Sequence, residues 1–223
     1  KEDSYGNLWL ATYANGAFCY DINQKKWKNY LHDEGNKKSL SYNKVSSIFE
    51  DSRRQIWLTT QGGGFCRFNR EDESFVGYNS RKGLPNDVVY QMVEDNSGLI
   101  WLTTNAGLVC FDPTTEHMKV FTTANGLLCD QFNYQSSYKD ESGTIYIGGI
   151  EGFVSFKPTT FTENKYLSPA VITDFSLFGK EVLAGEQNSP LTKNITFTDK
   201  IVLKHNQNSF SFRVAALSYQ APR

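Results

Sequence analysis

Histidines and cysteines are where chemistry would start, and in this 223-residue chain they are few and scattered. The three histidines, His32, His117 and His205, stand far apart, and no Cys/His spacing of a metal site accompanies them. Neither a nucleophile elbow nor a phosphate-binding glycine loop is present. Asp95-Asn96-Ser97-Gly98 has the opening residues of a calcium loop but no glutamate at the twelfth position, so it reads as a turn. The sequence therefore predicts no catalytic residue, no metal and no cofactor. What it offers is amides and phenols set among glycines: Tyr13, Asn15, Tyr42, Asn43, Gln61, Asn86, Asn105 and Gln131, with Asp87 and Glu151 beside them. Amides donate and accept at once, and an aromatic ring covers the apolar C–H face of a pyranose, so the set suits a hydroxyl-rich ligand. The competing reading is that Asn and Asp in such loops bond their own neighbouring backbone.

What would hold these residues together is a repeat. Glu2-Asp3-Ser4 precedes Leu8-Trp9-Leu10, and Glu50-Asp51-Ser52 precedes Ile56-Trp57-Leu58. Glu94-Asp95-Asn96 precedes Ile100-Trp101-Leu102, and Asp140-Glu141-Ser142 precedes Ile145-Tyr146-Ile147. The aromatic anchor steps by 48, 44 and 45 residues from Trp9 to Trp57, Trp101 and Tyr146. Short strands and glycine turns at a period of about 40–50 residues are the mark of propeller blades. Each unit divides into four strands, A to D, with the Glu-Asp turn between A and B and the anchor on B. An indole hides 150–250 Å², an upper bound of roughly 4–6 kcal/mol at ~25 cal/mol/Å². One sheet cannot cover that area alone, so blades must stack and the anchors are structural. In a propeller, the loops joining B to C and D to the next A share one face, which places the amide and tyrosine set there.

The fold class is therefore all-β: a partial β-propeller of about four four-stranded blades over residues 1–158, a linker at 159–169, and a truncated Ig-like β-sandwich over 170–223. The last part rests on plain alternation, with Val171, Thr173, Phe175 and Leu177 on one face and Phe210, Phe212, Val214 and Ala216 on another. Cys19, Cys66 and Cys110 follow their Trp by ten, nine and nine residues, which predicts equivalent strand positions in successive blades. Stacked sheets lie about 10 Å apart, too far for a disulfide, so these three are expected to be free core thiols. Cys129 falls in an inter-blade loop with no obvious partner.

Bulk composition narrows the function. Net charge is −1, with no basic stripe, which argues against nucleic acid as a partner of this region. No run of about 18 apolar residues occurs, so membrane attachment would come from segments outside the chain. Lys1 starts inside a repeat, and the chain reads as an excerpt of a longer protein.

The units resemble the two-component regulator propeller repeats of hybrid two-component sensor histidine kinases. The matching positions are Glu94-Asp95, Gly98, Ile100-Trp101-Leu102, Thr104, Gly107-Leu108 and Phe111-Asp112-Pro113, with Gly83-Leu84, Asn86 and Val88 in the joining segment. Gln131-Phe132-Asn133, Tyr146-Ile147-Gly148-Gly149 and Gly152-Phe153 are similar to the last blade before the immunoglobulin-like Y_Y_Y module of such sensors. Asp174-Phe175, Asn206-Gln207-Asn208-Ser209-Phe210 and Ala215-Ala216-Leu217 look like the start of that module. The resemblance implies the periplasmic sensing region of a dimeric inner-membrane kinase. Such a region detects glycan-derived oligosaccharides, regulates polysaccharide-utilisation genes and signals through the 159–169 linker. A structural or protein-interaction propeller is the alternative, and a propeller lyase or hydrolase the least favoured reading. Self-association is expected in either of the first two.

Overall fold

The computed structural model describes residues 1–160, 170–186 and 189–216. Its contacts divide into two units, Lys1–Thr162 and Glu163–Arg223. In the first unit, blade 1 holds β1 (Leu8–Ala11), β2 (Ala17–Asp21) and β3 (Lys26–Tyr30). Blade 2 holds β4 (Val45–Glu50), β5 (Ile56–Thr60), β6 (Phe65–Asn69) and β7 (Ser74–Tyr78). Blade 3 holds β8 (Val89–Glu94), β9 (Ile100–Thr104), β10 (Gly107–Phe111) and β11 (Met118–Phe121). Blade 4 holds β12 (Phe132–Lys139), β13 (Ile145–Gly149) and β14 (Gly152–Phe156). Every blade is an antiparallel meander, and the inner strands β4, β8 and β12 contact one another in series. Four strands per blade hold for blades 2 and 3, whereas blades 1 and 4 show three among the described residues. In blade 1, Lys1 and Glu2 still pair with Trp9 and Leu8 where an inner strand would run.

The anchors face one way. Trp9 packs edge-on against Phe68 of blade 2 at 5.0 Å, Trp57 against Phe111 of blade 3 at 5.6 Å, and Trp101 lies 4.7 Å from Phe156 of blade 4. All three indoles are buried. Coverage is thus directional. Tyr146, facing past blade 4, is only half-buried, and Leu8 and Leu10 on the opposite face of blade 1 are exposed.

The Glu-Asp turn does two jobs. Its aspartate accepts a hydrogen bond from the anchor within the blade: Asp3 from the Trp9 indole at 3.0 Å, Asp51 from Trp57 and Asp95 from Trp101 at 2.9 Å, and Asp140 from the Tyr146 hydroxyl at 3.2 Å. The other carboxylate oxygen takes turn backbone N–H groups, those of Arg53 and Gln55 in blade 2. The glutamate reaches the preceding blade. Glu50 accepts from the Ser4 N–H and hydroxyl, and Glu94 from those of Ser52. At the third junction the pair changes chemistry, and Lys139 donates to Asn96 Oδ1 at 3.1 Å.

The four cysteines are free. Cys19 and Cys110 stand opposite Trp9 and Trp101 in their sheets, but Cys66 stands opposite Leu58. The expectation of one shared strand position is corrected for Cys66. The B–C turn of blade 3 is one residue shorter than those of blades 1 and 2, so an equal offset from the Trp lands on the other face.

In the second unit, β15 (Ala170–Leu177) pairs with both β16 (Lys180–Glu181) and β17 (Phe210–Ala216). Phe175, Leu191 and Ile195 form its core. A register shift between Ile172 and Asp174 interrupts the alternation of β15, so Thr173 is exposed while Phe175 is buried. Phe210, Phe212 and Val214 on β17 are exposed, and no sheet faces them among the described residues.

Candidate ligand-binding rim

Each B–C turn of the first unit is hydrogen-bonded to a neighbouring D–A loop, the one that follows it in blades 1 to 3 and the one that precedes it in blade 4. The Gly16 N–H donates to Asn43 O at 2.9 Å, those of Gly62 and Gly64 to Asp87 O at 2.9 Å, that of Gly107 to Asp130 O at 2.7 Å, and that of Ile150 to Gln131 O at 3.2 Å. Glycine is needed at Gly64, where φ is +72° and a Cβ would stand 2.0 Å from Tyr78 O. The two loop sets therefore form one rim carrying all eight candidate residues.

The rim does not gather them at a single point. Tyr13 is 74% exposed, with the Lys44 ammonium donating to its hydroxyl at 2.7 Å. Asn15 is exposed nearby. Asn43 accepts the His32 N–H at 2.7 Å, and Asn86 accepts the Val88 N–H at 2.8 Å, so both side chains brace backbone. Asp87 likewise caps the short turn Ser80–Lys82 through the Ser80 N–H at 2.6 Å. Gln61 joins the rim backbone to Lys44, and Gln131 is exposed. Asn105 accepts the Tyr90 hydroxyl at 3.1 Å.

Tyr42 alone of the eight lines a groove of about 940 Å³ between the 32–42 loop and the 79–87 loop of blade 2. Its ring lies against Gly62, where an added Cβ would be 3.1 Å away, and it is 42% exposed. Gly63 sits under the same loop, with space for a Cβ only 2.4 Å from Ser41 O. His32, whose Nδ1 lies 2.7 Å from Leu40 O, Arg81 and Lys37 complete the walls. Phe75 to Gly77 of β7 form the floor, where the Phe75 N–H already donates to Lys38 O at 2.8 Å. A half-open ring beside backbone and mixed charges has the chemistry that a polar ligand with an apolar face would require. Among the described residues, no cluster of three or more His, Cys, Asp or Glu is placed to hold a metal.

The two-component regulator propeller profile matches residues 39–62 and 83–106. Each match runs from a D–A loop through the strand that bears the anchor. Blades 2 and 3 are two-component regulator propeller repeats. The chain is 31% identical to a histidine kinase of Formosa agariphila, over 93% of this chain and 19% of that protein. It also superposes on the extracellular domain of a hybrid two-component system from B. thetaiotaomicron with a TM-score of 0.69 at 26% identity, over 97% of this chain and 28% of that one. A second such domain from the same organism gives 0.59 at 18% identity, over 96% and 40%, which speaks for the fold alone. The chain thus spans about a fifth of the curated relative it matches.

Within these regulator-propeller blades, sequence reasoning passed over several rim residues. Residue type and spacing give His32 no role here and do not single out Tyr90, Tyr134 or Gln135. The aspartate partners of the anchors were also missed, although each stands six residues before its aromatic ring. That constant offset was the available signal.

Proposed function

We propose that this chain is ligand-sensing extracytoplasmic sequence of a hybrid two-component histidine kinase, and that its groove holds a glycan-derived oligosaccharide. The observation that carries the reading is the Tyr42 ring, laid on the Gly62-Gly63 turn and half-open to a groove of about 940 Å³. A pyranose would stack on that ring while its hydroxyls meet His32, Arg81 and the β7 backbone. The regulator-propeller repeats and the likeness to extracellular domains of hybrid systems support the sensor role. In this reading the region lies in the periplasm, the kinase and membrane-spanning parts lie elsewhere in the protein, and occupancy regulates genes for polysaccharide use. Two copies would associate through apolar surface such as Phe210, Phe212 and Val214, which is exposed here. No helix among the described residues is long and apolar enough to cross a membrane.

The test is calorimetry of the chain against a panel of plant, algal and host oligosaccharides. One should bind, and Tyr42→Ala should weaken it at least tenfold without changing the melting temperature. A panel with no binder, or one in which no binder depends on Tyr42, overturns the groove assignment.

A further inference from the structure

The inner strand of blade 4 breaks the pattern of its neighbours. In blades 2 and 3 the inner strand carries one extra residue near the rim, Ser46 and Tyr90, the ordinary size of a β-bulge. In β12 the five steps from Phe132 to Ser137 oppose only the two from Gly149 to Ile147, so three residues bulge out. Gln135 in this bulge has a φ of +46°, a left-handed conformation that costs a non-glycine residue energy. The bulge is pinned rather than loose. The Ser136 hydroxyl donates to Asn133 O and Gly148 O at 2.8 and 3.0 Å, and Asn133 Nδ2 donates to Gly149 O at 2.9 Å.

Buried groups on the side of blade 3 that faces blade 4 are also unpaired. In blade 2 the equivalent Ser47 and Thr59 hydroxyls bond each other at 2.8 Å, and Thr59 reaches Tyr90 O in the next blade at 3.3 Å. In blade 3 the positions are Gln91 and Thr103, cross-strand partners on the face that Trp101 turns toward blade 4. Gln91 Nε2 and Thr103 Oγ1 are both buried, and neither has a hydrogen-bond partner. Unpaired buried polar atoms are rare in native folds and ask for a reason. What the bulge sets on the surface is aromatic and amide. Tyr134 is 52% exposed and meets the Tyr90 ring edge-on at 4.6 Å, and the Tyr90 hydroxyl is held by Asn105. Asn133 and Gln135 are exposed beside it. None of these residues carries a charge.

We propose that the Asn133–Ser136 bulge, with Tyr90 and Asn105, is a second saccharide site, one that selects an uncharged sugar unit. An exposed tyrosine held edge-on by a second ring offers a stacking plane, and the exposed Gln135 amide, with Asn133 Oδ1 and Asn105 Nδ2, offers donors and acceptors for hydroxyls. With no cation in the set, a uronate or sulfated unit loses its hydration without compensation. The site shares the ligand class of the groove but none of its residues.

The experiment is saturation-transfer NMR on the whole chain with maltotriose, cellotriose, xylotriose and mannotriose, and with trigalacturonate as the charged control. At least one neutral trisaccharide should show transfer that trigalacturonate does not. Tyr134→Ala should weaken it at least tenfold while Tyr42→Ala leaves it unchanged. Should Tyr134→Ala not fold, Tyr134→Leu keeps apolar bulk over Tyr90 and removes the stacking plane. Transfer from trigalacturonate alone, from no saccharide, or unaffected by the Tyr134 variants overturns the site. Binding that Tyr42→Ala abolishes and Tyr134→Ala spares belongs to the groove and also overturns it. Binding that Tyr134→Ala abolishes and Tyr42→Ala spares establishes this site and leaves the groove to its own Tyr42-dependent test.

Discussion

The Asp51 carboxylate accepts the Trp57 indole N–H at 2.9 Å inside a fully buried interface, and its other oxygen holds the Arg53 and Gln55 N–H groups. One side chain thus fixes both the anchor and the turn that precedes it. Asp51→Ala leaves the indole donor orphaned as well as the turn, which should cost about 3 kcal/mol by denaturant titration. Trp57→Phe removes the donor but opens space. The double variant should therefore cost clearly less than the sum of the two singles, and strict additivity would mean the bond contributes nothing.

The blade-to-blade contacts predict a compensating pair. Lys139→Glu removes the bond to Asn96 and should cost about 0.5–1 kcal/mol, as expected of a solvent-exposed contact. Adding Asn96→Ser recreates the Glu–Ser arrangement of the two earlier junctions and should return the melting temperature to that of the parent.

Acid should loosen the junction of blades 1 and 2 in a defined direction. Burial alone would raise the Asp3 pKa, but bonds from the Trp9 indole, the Asn7 backbone and the Arg70 guanidinium hold it below the ordinary carboxylate value. The unfolded chain then binds the proton more readily than the folded one. The Asp3 contribution is complete above the unfolded value of about 3.9 and is lost as pH falls through the lower folded value. Melting temperature against pH should drop steeply below about pH 4, and Asp3→Asn should flatten that drop. A profile identical in the variant would sink this account.

Thiol chemistry gives a further check. Burial pushes the Cys66 and Cys19 thiols up to about 11 and the Cys110 thiol to about 12, so little thiolate exists at pH 8. Ellman's reagent should label these three only after guanidinium is added. Rapid labelling of any of them in the native protein, mapped by mass spectrometry, would contradict the packing.

Most of the architecture was legible because the repeat is spaced by burial. An indole that must be covered recurs in register, and glycines recur where the chain turns left-handed. The strand membership of blades 2 and 3 follows from that. The rim was legible only as a location. Asn43, Asn86 and Asp87 were candidates by residue type, yet each braces backbone, because an amide or carboxylate in a tight loop finds the nearest N–H first. Tyr42 was readable as a residue, but its groove depends on how the 32–42 loop crosses β7, which no local pattern encodes. The β12 bulge was hidden for a related reason. Three extra residues in a strand this poor in apolar side chains leave no period to read, and their presence shows only against the partner strand. Cys66 was misplaced by a single-residue difference in turn length.

The change of partners at the third junction has a consequence for how such an array grows. Two successive blades offer a serine to whatever carboxylate comes next, so a copied unit could be spliced between them without redesign. The lysine of the fourth unit fits an amide instead, and a swapped neighbour would have to change with it. The seam between Asn96 and Lys139 is therefore the one of the three that a copied unit could not enter unaltered.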